Sequence, residues 1–284
     1  MTEVAPGCGF ERVGILGIGL MGGSLARGLK TLNVPPHVVG FCLDPAEGRM
    51  ALESGAIDGL ASDPAEVASG RDLVVYATPL GVTLDLLRHH SAVWGEAVIT
   101  DVASLKAPVM DTMKELSEAS RYVGSHPMAG GEGSGFTASS DGLFKDARVW
   151  LVRGEGATRA ADGVEGLWRA LGATALWTDA VDHDRRMTWV SHLPQLVANG
   201  LAATLADAGY TAADLGPGGK DMTRLAASSP EMWRDLLETS APELAGALEA
   251  AGVEFARIAA ALESGDVDTI VGLMAQTKEW KSEG

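Results

Sequence analysis

The feature that most constrains the fold is a glycine-rich turn directly after a short apolar segment. The segment Arg12–Leu16 is predicted to be a strand, and it runs into the sequence Gly-Ile-Gly-Leu-Met-Gly at residues 17–22. Helix-forming residues follow from Ser24 to Lys30. Strand, G-x-G-x-x-G turn and helix in this order are typical of a dinucleotide-binding unit. A glycine-rich turn that binds no ligand would give the same pattern.

Each glycine of the turn has a physical role in such a unit. Gly17 would make the tight turn, Gly19 would let backbone N–H groups approach a pyrophosphate, and Gly22 would allow close packing of helix on sheet. The N-terminus of the helix would add partial positive charge beside the phosphates. The residues predicted to contact a dinucleotide here are Gly17, Gly19, Leu20, Met21 and Gly22.

The residue that would select the cofactor lies near the end of a second predicted strand, Val38–Cys42. A ribose-binding acid is expected about 20 residues past the glycines, where the chain has Cys42 and, two residues on, Asp44. Asp44 precedes Pro45 and Glu47, so it is equally suited to cap the next helix. Since no arginine stands at the strand end to bind a 2′-phosphate, the pattern favours NAD and leaves NADP open.

Further apolar segments alternate with helical ones, which predicts a Rossmann-like, doubly wound parallel sheet. The remaining predicted strands are Leu73–Ala77, Ala97–Thr100, Tyr122–Gly124, Arg148–Val152 and Ala175–Thr178. Ligands of such sheets bind beyond the carboxyl ends of the strands. Thr78, Pro79, Ser104 and His126 all follow predicted strand ends, so we expect them to share one crevice with the glycine-rich turn.

The stretch Ser125–Gly135 places one histidine and one carboxylate, His126 and Glu132, among glycines and a proline. Such residues make poor helices and poor strands, which predicts a shaped loop. Loops of this kind often carry function.

Almost all of the sequence after Asp179 has helix-forming patterns, whereas strands and helices alternate before it. We therefore predict an α/β domain at residues 1–179 and an all-helical domain at residues 180–284. The first helix, predicted over Ala180–Asp207, contains Pro194, which should kink it. His192 and Gln195 fall on one face of this helix together with Asn199. These polar groups need partners, and either a substrate or one another would provide them.

A second polar pair, Lys220 and Arg224, follows a predicted sharp turn at Leu215–Gly219. We expect the pair at the start of a new helix, where the dipole is already positive and an anion is favoured. Solvated surface charges would give the same pattern. Further helix starts are predicted at Ser229 and Ser240.

Two helices have features that indicate structure rather than chemistry. His89 and His90 are expected at the C-terminus of a helix over Leu80–His90, where a cation is mildly favoured. The last predicted helix, Asp266–Lys281, has an apolar stripe suited to core or dimer contact.

The composition argues against several classes of partner. There are 22 basic and 38 acidic residues, a formal net charge of −16, and no run of Lys and Arg. This argues against nucleic acid and anionic membrane surfaces. The chain has neither signal-peptide character at its start nor an apolar run of the roughly 18 residues that span a membrane. We therefore expect a soluble cytoplasmic protein, and the spacing of histidines and cysteines predicts no metal site.

The chain resembles the prephenate and arogenate dehydrogenase family of tyrosine biosynthesis, from about Arg12 to about Leu262. The motifs that carry the resemblance are Gly17–Gly22, Thr100–Lys106, Ser125–Gly135, Ser191–Gln195 and Gly219–Arg224. The resemblance implies a Rossmann-like domain and a helical domain that pairs with its copy in a homodimer. It implies oxidative decarboxylation of prephenate to 4-hydroxyphenylpyruvate, or of arogenate to tyrosine, with hydride transfer to NAD or NADP.

The same resemblance assigns roles to single residues. His126 matches the family's catalytic histidine, which takes the proton from the C4 hydroxyl of the substrate ring. Ser104 matches a serine near that hydroxyl and the nicotinamide. Arg224 matches the arginine that grips a substrate carboxylate, and His192 matches a substrate-binding histidine.

Other matched positions line the substrate pocket or depart from the family. Glu132 and Lys220 match polar residues of the pocket. Gln195 stands where many prephenate-using members have a second histidine, which leaves prephenate and arogenate open. Cys42 stands where a carboxylate is common, and Gly131 replaces a larger residue, which would widen the pocket.

Three alternatives remain open from the sequence. One is the same chemistry on 4-amino-4-deoxyprephenate, and another is a β-hydroxyacid-type dehydrogenase with Lys220 as its acid–base group. The third is a catalytically silent nucleotide sensor. Because the sequence ends soon after the last predicted helix and little precedes Arg12, we expect neither the C-terminal regulatory domain nor the fused mutase of some relatives. Any feedback inhibition by tyrosine would then act at the active site.

Overall fold

The computed structural model describes residues 8–131 and 133–282, which divide into two compact units. The first unit comprises Met1–Met187 together with Ala227–Thr239, and the second comprises Thr188–Ala226 together with Ser240–Gly284. None of the helices within the described ranges is long and apolar enough to cross a membrane.

The first unit is built on an eight-stranded sheet with the strand order β3-β2-β1-β4-β5-β6-β7-β8. The strands are β1 (Arg12–Leu16), β2 (His37–Phe41), β3 (Gly59–Leu60), β4 (Leu73–Tyr76), β5 (Val98–Asp101), β6 (Tyr122–Pro127), β7 (Arg148–Arg153) and β8 (Thr174–Thr178). Neighbouring strands are parallel except for β6 and β7. The predicted doubly wound sheet is confirmed, with this antiparallel pair as its exception.

Helices of the first unit cover both faces of the sheet. They are α1 (Leu20–Lys30), α2 (Pro45–Glu53), α3 (Pro64–Ala68), α4 (Leu80–His90), α5 (Ala107–Glu115), α6 (Thr158–Ala170) and α7 (Ala180–Met187). One core cluster joins Ile15 of β1 to Leu25 of α1 and Trp168 of α6. A second cluster joins Leu16 of β1 to Leu87 of α4. Because successive strand residues face opposite sides, the two clusters lie on opposite faces of the sheet.

The second unit is helical. A π-helical turn, Thr188–His192, directly precedes α8 (Leu193–Asp207), so the helix predicted over Ala180–Asp207 is interrupted one residue before Pro194. Proline lacks the N–H that a regular helix needs at this position. The remaining helices are α9 (Pro217–Thr223), α10 (Pro230–Ser264, of which the part from Ser240 lies in this unit) and α11 (Val267–Ser282).

Two predicted helix starts are wrong. Helix α9 begins at Pro217, so Lys220 lies in its last turn and Arg224 follows its end. The cations therefore lie where the helix dipole is negative, and the dipole argument for an anion site there fails. Ser240 starts no helix, because Pro242 lies inside the 35-residue α10 and its missing N–H does not end that helix.

Candidate active site

The glycine-rich turn has the geometry that a dinucleotide needs. Gly17 has a φ of 92°, which favours glycine, and a Cβ at Gly22 would overlap the carbonyl oxygen of Gly17. A Cβ at Gly19, by contrast, would meet none of the described atoms within 4 Å. Helix α1 has no acidic residue in its first turn, and no described side chain caps its N-terminus. Open space beside Gly19 and a helix N-terminus without a side-chain cap fit a pyrophosphate.

A cavity of about 360 Å³ in the first unit brings together four of the predicted residues, namely Met21, Thr78, Pro79 and Ser104. Its walls are largely apolar, with Ala77, Leu80 and Val102 among them. Ser104 is exposed in the loop after β5, at the carboxyl end of that strand. The sheet therefore places Ser104 beside the first turn of α1, as the predicted crevice requires.

Asp235 also lines this cavity and was missed by the sequence reasoning. Its carboxylate accepts a hydrogen bond of 2.9 Å from the amide of Gly81, at the N-terminus of α4. A carboxylate is favoured there by the exposed helical N–H groups. The two residues are 154 positions apart, so no local pattern could connect them.

His126 lies on strand β6 and is half-buried, so the loop predicted over Ser125–Gly135 is wrong at its start. The strand extends to Pro127 because β7 pairs with it: His126 lies opposite Trp150, and Pro127 opposite Val149. Pairing with a neighbour has here overridden weak local propensity. A sheet strand holds a catalytic side chain more rigidly than a loop does.

Glu132, predicted to line the substrate pocket, lies outside the described residues.

The imidazole of His126 contacts a second histidine. Its Nδ1 lies 3.0 Å from Nε2 of His183, and the two rings meet edge to face with centroids 5.1 Å apart. His183 is fully buried on α7, and its Nδ1 lies 2.7 Å from Oδ1 of Asp184. Sequence reasoning missed both residues, because His183 is 57 positions from His126.

The carboxylate of Asp184 is held by backbone amides where α5 begins. The amide of Lys106 donates to Oδ1 at 2.7 Å, and the amide of Ala107 donates to Oδ2 at 2.8 Å. Both oxygens are therefore acceptors, as expected of an ionised carboxylate.

A buried ion pair supports the strand that carries His126. The ammonium of Lys106 contacts the carboxylate of Asp101 and donates to the carbonyl of Ser125 at 2.6 Å. The hydroxyl of Tyr122 donates to the other oxygen of Asp101 at 2.8 Å. Burial lowers the pKa of Lys106, and the charge of Asp101 opposes this. Burial and Asp101 together raise the pKa of Tyr122, so the phenol stays a neutral donor.

The end of β2, where a ribose-binding residue is expected, is acidic. Asp44 accepts a hydrogen bond of 2.7 Å from the amide of Ala46, which confirms its predicted role as the cap of α2. The thiol of Cys42 lies 3.9 Å from Oε2 of Glu47. Burial, followed by the charges of Glu47 and Asp44, raises the pKa of that thiol. Glu47 was not predicted as a site residue, although its position in the first turn of α2 brings it to the strand end.

The predicted substrate residues of the helical region fall in the second unit. His192 and Gln195 are buried, whereas Lys220 and Arg224 are exposed. The Nε2 of Gln195 donates to Oδ1 of Asn199 at 2.8 Å and to the carbonyl of Leu225 at 2.6 Å. These bonds confirm that Gln195 and Asn199 share a face and favour the alternative that they satisfy each other. The described residues contain no group of three His, Cys, Asp or Glu that could hold a metal ion.

Two family models match consecutive parts of the chain. The model for the prephenate dehydrogenase nucleotide-binding domain matches residues 25–176, and the model for the prephenate dehydrogenase dimerization domain matches residues 179–276.

Individual relatives agree with these models. A prephenate dehydrogenase from Bacillus subtilis (strain 168) is 32% identical over 235 residues, which cover 78% of this chain and 62% of that protein. The chain thus matches less than two thirds of that relative's length. A cyclohexadienyl dehydrogenase from Zymomonas mobilis is 28% identical over 277 residues, or 92% of each chain.

A solved structure has the same fold throughout. The crystal structure of prephenate dehydrogenase from A. aeolicus, in complex with hydroxyphenyl propionate and NAD+, matches with a TM-score of 0.87 and 27% identity. The match covers 96% of this chain and 98% of that one. Together with the two family models, this likeness shows that the chain belongs to the prephenate dehydrogenase family.

Proposed function

We propose that this protein is an NAD-dependent dehydrogenase that oxidatively decarboxylates prephenate or arogenate. The observation that carries the proposal is the match of both family models, in order, to a chain that has the dinucleotide turn and His126. The complex of the A. aeolicus relative with NAD+ and hydroxyphenyl propionate supports the cofactor and an aromatic ring in the site.

The glycine-rich turn would hold the cofactor, with the pyrophosphate beside Gly19 and the nicotinamide toward Met21, Thr78, Pro79 and Ser104. When bound, NAD+ supplies the hydride acceptor. The acidic end of β2 supports NAD over NADP, because Glu47 beside Cys42 would repel a 2′-phosphate. A ribose 2′-hydroxyl can instead donate to a carboxylate.

His126 is the proposed general base. Removal of a hydride from C4 and of the proton from its hydroxyl makes a carbonyl at C4. Loss of the C1 carboxylate as CO2 then leaves an aromatic phenolate, and His126 returns the proton to the phenolate oxygen. Imidazole suits the proton transfer because its ordinary pKa is near neutral. Ser104 would hydrogen-bond the same hydroxyl. General-base catalysis of this kind contributes about 10²- to 10⁴-fold in rate.

The second unit would provide substrate binding and a dimer interface. We propose that Arg224 grips a substrate carboxylate, for which its planar guanidinium is suited, and that His192, Lys220, Gln195 and Glu132 line the pocket. The family models meet between residues 176 and 179, which supports a domain boundary near residue 179. The name of the second model supports a homodimer, and we place the protein in the cytoplasm.

A spectrophotometric assay tests this function. Prephenate, arogenate and an aliphatic 3-hydroxy acid would each be incubated with NAD+ or NADP+, and reduced cofactor and CO2 would be measured. We expect reduction of NAD+ with one CO2 per hydride on prephenate or arogenate. Reduction without CO2 on the 3-hydroxy acid alone would overturn the proposal in favour of a β-hydroxyacid dehydrogenase. Cofactor binding without turnover on any substrate would equally contradict it.

A further inference from the structure

We infer that His183 and Asp184 fix the tautomer of His126, so that Nε2 of His126 carries the lone pair that receives the substrate proton. The inference rests on the proposed function, because it assigns positioning residues to the proposed base. It follows from four hydrogen bonds, of which two join Asp184 to backbone amides, one joins His183 to Asp184, and one joins His126 to His183.

Asp184 determines which atom donates and which accepts in each of these hydrogen bonds. Both of its carboxylate oxygens accept from backbone amides, Oδ1 from Lys106 and Oδ2 from Ala107. Backbone amides only donate, so this carboxylate is an acceptor. The ring of His183, 2.7 Å from Oδ1, must therefore donate through Nδ1–H.

The next hydrogen bond follows from the chemistry of a neutral imidazole, which has one N–H and one lone pair. With Nδ1 of His183 protonated, its Nε2 is the acceptor. His126, whose Nδ1 lies 3.0 Å from that Nε2, then donates through its own Nδ1–H. The lone pair of His126 is left on Nε2.

Contacts to two neighbouring elements hold helix α7 in place, and with it His183 and Asp184 beside strand β6. Asp184 is tied to the start of α5 by two hydrogen bonds, and the guanidinium of Arg186 lies 4.9 Å from the ring centroid of Trp150. Trp150 is the residue opposite His126 in the β6–β7 pair. The helix therefore contacts both the base and its strand partner. A base whose tautomer and orientation are preset needs less reorganisation in the transition state.

Nuclear magnetic resonance tests the tautomer without any turnover. The full-length protein, with ¹⁵N-labelled histidine, would be recorded in two-bond ¹H–¹⁵N correlation spectra at about pH 8, above the ordinary histidine pKa of about 6.5. The His126 signals are those that vanish in His126→Gln. We expect His126 to be protonated on Nδ1. Protonation on Nε2 would overturn the inference.

Kinetics of His183 variants test the consequence. His183→Met removes the acceptor, whereas His183→Gln can place its amide oxygen near the position of Nε2. We expect His183→Met to lose about 10- to 100-fold in kcat, part of the roughly 10²- to 10⁴-fold owed to general-base catalysis. The KM for substrate should change less than about threefold, and His183→Gln should recover part of the loss. His89→Met, on an exposed histidine of α4, serves as the control.

The outcomes separate this inference from the proposed function. Wild-type kcat in a folded His183→Met variant, or a KM increase that accounts for the whole loss, would contradict the positioning role while leaving the reaction intact. If the wild-type protein turned over neither prephenate nor arogenate, the proposed function would fail, although the Nδ1–H tautomer of His126 would still be observed.

Discussion

The ammonium nitrogen of Lys106 lies 2.6 Å from the carbonyl oxygen of Ser125, the residue that precedes His126. The same ammonium contacts the buried carboxylate of Asp101. A single side chain thus neutralises a charge in the core and ties the strand of the proposed base to the neighbouring strand β5. This arrangement accounts for a fully buried lysine that the proposed chemistry does not use.

Lys106→Met should destabilise the protein strongly. The variant leaves Asp101 charged and buried without its cation, which typically costs about 3–5 kcal/mol in free energy of unfolding. Urea denaturation followed by circular dichroism measures the change. The matched control is Lys114→Met, whose ion pair with Asp111 is exposed and worth little. Equal stability of the two variants would contradict a structural role for the buried pair.

Alanine substitutions at Gly19 and Gly22 should have different effects, one on cofactor binding and the other on protein stability. Gly19→Ala adds a Cβ that meets none of the described atoms within 4 Å, so the protein should fold normally. Affinity for NAD+ should fall at least about tenfold, because the methyl group occupies the space of the pyrophosphate. In Gly22→Ala, the added Cβ would overlap the carbonyl oxygen of Gly17, and the free energy of unfolding should fall by about 1–3 kcal/mol. Calorimetric titration and thermal denaturation measure the two effects, and unchanged NAD+ affinity in Gly19→Ala would contradict the assignment.

The stability of the protein should fall in mildly acidic solution because of His90. This histidine is buried, and its Nδ1 lies 3.1 Å from the hydroxyl of Tyr76, which itself accepts from Trp94. Burial lowers the pKa of His90, with Asp63 opposing and His89 adding to the shift. Both histidines lie in the last turn of α4 as predicted, but burial of His90 opposes the cation that the helix dipole favours there.

The sign of the effect follows from linkage. The folded pKa of His90 lies below the unfolded value of about 6.5, so its full contribution is present above that pH and is lost as the pH falls through the folded pKa. Unfolding free energies measured between about pH 8 and pH 5 should decline more steeply for the wild type than for His90→Gln. His89→Gln, on the exposed neighbour, should keep the wild-type slope. Identical slopes for wild type and His90→Gln would contradict this account.

Helix α11 should contribute to a dimer interface. Its predicted apolar stripe comprises Val267, Ile270, Val271 and Met274. Of these, Val267, Val271 and Met274 are 62%, 56% and 66% exposed in the single chain. Val271→Asp should shift the protein from dimer to monomer in size-exclusion chromatography with light scattering, because an interface core excludes charge. Gln276→Asp places the same charge elsewhere on the helix and should leave the mass unchanged. A dimeric Val271→Asp would place the interface on another surface.

Features that depend on neighbouring residues were predictable from the sequence. The strand Arg12–Leu16 and the helix Leu80–His90 were predicted with the bounds observed, because each is determined by local periodicity. The glycine-rich turn was predicted at the right place, although helix α1 begins at Leu20, inside the predicted turn, and not after Gly22. The cap at Asp44 belongs to the same class, since its partner lies two residues away.

Features that depend on distant contacts were not predictable. The residues around His126 have low strand propensity, and only pairing with β7 makes them a strand. The contact of His126 with His183 joins residues 57 positions apart, and nothing in either local sequence indicates it. The start of α9 was misplaced because Pro217 fits the first turn of a helix as well as a sharp turn.

The most direct test of the proposed mechanism is the kcat of His126→Gln with prephenate or arogenate and NAD+. Glutamine keeps a polar side chain of similar size but cannot accept the proton. We predict that kcat falls about 10²- to 10⁴-fold, while the dissociation constant for NAD+, measured by calorimetry, stays within about twofold. A His126→Gln variant with near-wild-type kcat would show that this histidine is not the base.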